Sequence, residues 1–86
     1  MATKQELLEA LREENPNALL ADGFEAAFRG ICRRFGMEPV AAYDREHCLL
    51  ILQRRDQMTR EQAEEFFEFN VIGAWMGDGT PVFLDM

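Results

Sequence analysis

The chain has few residues with which to do covalent or metal chemistry. Its 86 residues include one histidine and two cysteines. Neither paired Cys-x-x-Cys nor His-x-x-x-His spacing occurs, so a tetrahedral zinc site has no local source of ligands. Asp44, His47 and Cys48 are the one close constellation of metal-capable or nucleophilic side chains. A helix N-cap followed by a surface histidine and a buried cysteine explains the same three letters. Cys48 also stands in the apolar run "CLLIL", where desolvation raises a thiol's pKa and removes its nucleophilicity. The "GDGT" at 77–80 lacks the lysine of a phosphate loop and reads as a turn. The expectation is a protein that is not an enzyme and has no catalytic residue, metal or cofactor.

Long apolar runs are missing too. Nothing approaches the roughly 20 residues that span a bilayer, and the opening "MATKQELLEALREE" is polar and amphipathic without a signal-peptide apolar segment. A cytoplasmic protein with no membrane partner is expected. In a reducing compartment Cys32 and Cys48 are small hydrophobes rather than a disulfide.

Positive charge is scarce. Nine Lys and Arg stand against 16 Asp and Glu, a net charge of −7, which repels phosphate backbones and argues against general nucleic-acid binding. Arg29, Arg33 and Arg34, with Arg54 and Arg55, are the only local basic clusters, and a nucleic-acid role would have to use them. From residue 56 onward Arg60 is the single base among seven acids. Such polarised acidity favours a protein partner with a basic surface.

What the chain does contain is enough apolar residue for one small domain, residues 1–86, burying about 60–65% of its unfolded surface. A helix over 4–14 is signalled by a Thr3/Glu6 capping box and by Leu7, Leu8 and Leu11. Asn15-Pro16 then makes a corner, which leaves the segment 1–15 as an N-terminal helix with few obvious ties to the rest. Asp22 with Glu25 offers a second N-cap, and Phe24, Ala27, Phe28, Ile31 and Phe35 follow on one helical stripe closed by Gly36. "VAAY" at 40–43 reads as a strand, and Asp44 caps a third helix through "REHCLLILQRR". Thr59 and Gln62 open a fourth, over 60–72. "PVFL" at 81–84 is a last strand, paired either with 40–43 or, as a hairpin, with "AWM" at 74–76. The expected fold is α+β, in the order α-α-β-α-α-β, four helices with a minimal two-stranded sheet.

The aromatic block "EEFFEFNVIGAW" at 64–75 decides the functional reading. On a helix Ala63, Phe66, Phe67, Asn70 and Val71 share one face, while Glu61, Glu64, Glu65 and Glu68 take the other. Phe66 and Phe67 read as core. Asn70 reads as a structural tie to nearby backbone, and Phe69, Ile72 and Trp75 are divided between core and contact.

The order Tyr43-Asp44, Met58-Thr59, Glu64-Glu65-Phe66-Phe67-Glu68-Phe69-Asn70 and Gly77-Asp78-Gly79-Thr80-Pro81-Val82-Phe83 resembles small proteins of bacteriophages, prophages and other mobile elements. The resemblance covers about residues 40–83 and implies a genomic context rather than a mechanism. Small acidic proteins of that kind often block a host protein, including defence nucleases. The reading is therefore a protein-binding module, an inhibitor of a host factor, using Glu61, Glu64, Glu65, Glu68, Phe69, Trp75 and Asp78. The alternative is a structural homodimer that uses the widened apolar end of the fourth helix as a self-interface.

Overall fold

The computed structural model of the chain describes residues 2–73 and 77–86. Among these described residues three α-helices and three strands follow one another. Helix α1 spans Lys4–Glu14, a 3-10 turn Glu25–Ala27 leads into strand β1 Phe28–Arg34, and β2 is Met37–Asp44. Helix α2 is Arg45–Arg55, α3 is Arg60–Phe67 continued by a π turn Glu68–Ile72, and β3 is Val82–Leu84. The sheet has the order β1-β2-β3, antiparallel between the first two strands and parallel between β2 and β3. The fold is α+β, but the expected four helices over a two-stranded sheet are replaced by three helices and a mixed three-stranded sheet.

The correction lies in residues 22–35. Their apolar spacing suits a helix, yet Phe28–Arg34 is extended and pairs with β2, Ile31 opposite Ala41 and Cys32 opposite Val40. Gly30, costly inside a helix by about 1 kcal/mol relative to alanine, sits within this strand. Gly36 does adopt the left-handed conformation expected of it, φ 72°, but in the turn joining β1 to β2 rather than at a helix end. Phe35, placed on the apolar stripe by its spacing, is fully exposed at that turn.

Elements governed by local hydrogen bonding form where the sequence places them. Thr3 and Glu6 close a capping box on α1, Thr59 and Gln62 another on α3, and the Asp44 carboxylate accepts from the His47 amide at 3.3 Å to start α2. The corner at Asn15 is buried: its Nδ2 donates to the Pro39 carbonyl at 2.9 Å, and its Oδ1 accepts from the Asn17 amide at 3.1 Å. The strand around 81–84 pairs with β2, Tyr43 opposite Phe83. The hairpin alternative through 74–76 lies outside the described residues.

The core is a chain of aromatic contacts, three of them edge-to-face and Tyr43–Phe83 tilted. Phe24 meets Phe67, Phe67 meets Phe83, Phe83 meets Tyr43 and Tyr43 meets Phe28, with ring centroids 5.0–6.3 Å apart. The Tyr43 hydroxyl accepts from the Ala21 amide at 2.9 Å, which ties the loop after α1 to the sheet. Leu11, Leu49, Leu52 and Ala63 fill in around the rings. Helix α1 is fastened at both ends: Lys4 Nζ donates to the Ala26 carbonyl at 2.9 Å, and Arg33 Nη2 to Glu14 at 2.8 Å. This frame fixes how α3 is turned.

Candidate protein-binding face

Helix α3 buries Ala63 and Phe67, and Val71 packs against the same core. With those positions inside, helical geometry turns Glu61, Gln62, Glu65 and Phe66 outward, and all four are exposed. After Phe67 the helix widens into the π turn, closed by the Gly73 amide donating to the Glu68 carbonyl at 2.9 Å. Such a turn inserts one residue beyond the α repeat and is frequent at functional sites. Gly73 permits it, since a Cβ there would stand 3.0 Å from the carbonyl oxygens of Glu68 and Phe69. Phe69, on this turn, is 77% exposed, and Ile72, at the end of the same turn, is exposed as well.

The two adjacent phenylalanines, Phe66 and Phe67, therefore divide. Phe67 is wholly buried, as expected. Phe66 is 37% exposed and outside the core cluster, because a helix packed along Ala63, Phe67 and Val71 covers only a narrow stripe. Asn70 is exposed as well, and its Nδ2 donates to the Phe66 carbonyl one turn back at 3.2 Å.

The four glutamates are not equivalent. Glu64 accepts from Arg60 Nε at 2.9 Å, and Glu68 pairs with Arg45 of α2 at 3.5 Å. Arg60 also holds Glu46 of α2 through both of its terminal nitrogens, at 2.6 and 2.8 Å. That bidentate bond keeps the Glu46 carboxyl below its ordinary value, and the carboxylates in turn raise Arg60. Among the described residues Glu61 and Glu65 have no ion-pair partner. One turn apart on the helix, they stand as free carboxylates on the exposed stripe that ends in Phe69.

Asp78 is not part of this face. It is exposed near the β1–β2 turn, where its carbonyl and that of Glu38 accept from Arg34 Nη2 at 2.9 and 2.8 Å. There it edges a cleft of about 530 Å³ whose wall includes Asn17, Met37 and Glu38. Trp75 lies outside the described residues.

The arginines do not pool into a free basic patch. Arg29 donates to His47 Nδ1 at 2.9 Å and pairs with Asp44 at 3.5 Å. Arg33 pairs with Glu14, and Arg34 bonds to carbonyls. Arg55 is held by Asp56 and by the Gly23 carbonyl and lies over the Phe24 ring at 5.5 Å. Of the five, Arg54 alone has no ion pair or side-chain hydrogen bond among the described residues, a distribution that sequence adjacency hid.

Cys48 is completely buried, and desolvation pushes its thiol up to about 11, so it packs as a small hydrophobe. Cys32 is half-buried, and both cysteines are free. Among the described residues no group of three or more His, Cys, Asp or Glu is placed to hold a metal ion, and no helix is long and apolar enough to cross a membrane. Comparison with protein-family models, with curated proteins and with solved structures finds no match.

Proposed function

We propose that the chain is a non-enzymatic protein-binding module that docks the exposed stripe of α3 on a basic surface of another protein. The observation that carries this reading is the pairing of two unpartnered carboxylates, Glu61 and Glu65, with the 77% exposed ring of Phe69 on one helix. Free carboxylates steer a basic partner and fix its register, while an exposed aromatic supplies the apolar anchor that dominates typical interface energies. A π turn beneath the anchor adds support, since such turns cost helix regularity and concentrate at functional positions.

We read this binding as inhibition of a host factor, such as a defence protein, in a host cell's cytoplasm, a reading that draws on the motif order of residues 40–83. The carboxylates would then occupy the groove where that factor receives phosphates. Phe66 and Ile72 extend the anchor, and Glu64 and Glu68 keep the stripe oriented through their arginines.

The test is affinity capture from a host lysate with the tagged protein and its Glu61→Arg/Glu65→Arg variant, followed by calorimetry with the purified partner. A specific partner, lost in the variant and bound more weakly at high salt, supports the reading. A partner that binds both proteins equally removes the α3 stripe from it.

A further inference from the structure

The ion pairs between α2 and α3 leave opposite charges over on the two sides of their seam. Glu46 with Arg60 and Arg45 with Glu68 join the two helices, while Arg60 also holds Glu64 within α3 and Arg45 also holds Asp85. Four and eight residues on from Glu46, Leu50 and Arg54 continue the same exposed stripe of α2. Arg54 borders a cleft of about 340 Å³ that is also lined by His47, Leu50, Ile51 and Arg55. Acids on and flanking α2 are already engaged, Asp44 with Arg29, Glu46 with Arg60 and Asp56 with Arg55. His47 accepts from Arg29 at Nδ1, which leaves Nε2–H as a donor. Across the seam, α3 carries the opposite set, Glu61, Glu65, Phe66 and Phe69.

We infer that the α2 cleft receives the α3 stripe of a second copy of this chain. Complementary charge points to that occupant: two unpaired acids of α3 and an unpaired base of α2 sit on adjoining helices of one molecule, each beside apolar side chains that the other could cover. A two-fold axis near the seam makes both contacts at once and closes the assembly as a dimer. Glu61 and Glu65 of each copy then face Arg54 and His47 of the other, and Phe66 and Phe69 lie over Leu50 and Ile51. This deepens the proposal that α3 is a binding face, on which it rests, and it adds a regulation: the dimer masks the stripe, so a foreign basic partner has to compete with the second copy.

Sedimentation velocity on the full chain, in low and high salt, tests this with two variants, Glu61→Arg/Glu65→Arg and Arg54→Glu. The wild type is expected at twice its monomer mass of 9.9 kDa in low salt and at the monomer mass in high salt. Each variant is expected to be monomeric with an unchanged circular dichroism spectrum, and their equimolar mixture to recover the dimer, because reversing both stripes restores complementarity. A monomeric wild type, a dimer that survives Arg54→Glu, or a mixture that stays monomeric overturns the self-docking. A monomeric wild type whose Glu61→Arg/Glu65→Arg variant still loses a foreign partner overturns self-docking alone. If that variant changes neither mass nor partner capture, the reading of α3 as a binding face fails with it.

Discussion

Arg60 opens α3 and grips Glu46 of α2 with two hydrogen bonds, at 2.6 and 2.8 Å, while its Nε holds Glu64 at 2.9 Å. One guanidinium thus locks the orientation of two helices and removes two carboxylates from the free surface. Arg45 takes Glu68, and the acidic stripe is what remains, Glu61 and Glu65.

This arrangement has a consequence for acid. The Arg60 bond depresses the Glu46 carboxyl, and the Arg33 bond does the same for Glu14. A carboxyl whose folded pKa is depressed stabilises the fold above its ordinary value and loses that contribution as pH falls through the folded one. Carboxyl NMR titration should give Glu46 a midpoint below 4.5, and Arg60→Gln should return it toward 4.5. A wild-type midpoint at or above 4.5 contradicts the geometry.

The neighbouring rings of the aromatic block should behave oppositely. Phe67→Ala empties a site packed between Phe24 and Phe83 and should cost about 3–5 kcal/mol. Phe66→Ala, at a 37% exposed position, should cost at most about 1 kcal/mol. Urea unfolding of the two variants decides it, and equal losses would mean that α3 is turned differently.

Gly79 is required by a close backbone approach. Leu19 donates to its carbonyl at 2.9 Å, and an added Cβ would meet the Asn17 carbonyl oxygen at 2.4 Å. Gly79→Ala should therefore destabilise by about 1–3 kcal/mol through overpacking, read as a lowered urea midpoint. A neutral substitution would show that the 77–80 turn does not rest on the loop after α1.

Asn15→Ala removes the side-chain donor bonded to the Pro39 carbonyl and should cost about 1–3 kcal/mol for the unsatisfied buried group. The Asn15→Asp variant separates the two bonds, since it keeps the acceptor for the Asn17 amide and loses the donor. If Asn15→Asp is as stable as the wild type, the corner does not depend on Pro39.

These sites differ in how legible they were. The helix starts could be read because a cap is satisfied within three residues, as Thr3 with Glu6 and Thr59 with Gln62 show. Strand β1 could not, because the spacing of Phe24, Ala27, Phe28, Ile31 and Phe35 fits a helix. What decides for a strand is pairing with Val40 and Ala41 about ten residues away. The glycines were the available signal: Gly30 inside the supposed helix and Gly36 between two apolar runs favour a hairpin. The acidic run was visible on the helical wheel, but not which of its members were free. Glu68 finds Arg45 from 23 residues away, a distance along the chain that periodicity does not reach. Exposure of Phe66 follows from the narrowness of the packed stripe, which depends on the sheet below it.

Phe69→Ala separates a binding role from a structural one. At 77% exposure its loss should change stability by no more than about 0.5 kcal/mol. Loss of an interface anchor should weaken partner binding by about 2 kcal/mol or more. Thermal unfolding and calorimetry on the same preparation provide both readings.

The measurement that tests the central claim most directly is calorimetric titration of a captured partner against the wild type and against Glu61→Arg/Glu65→Arg. The account predicts binding to the first and none to the second, at equal thermal stability. Undiminished affinity of the variant would contradict it.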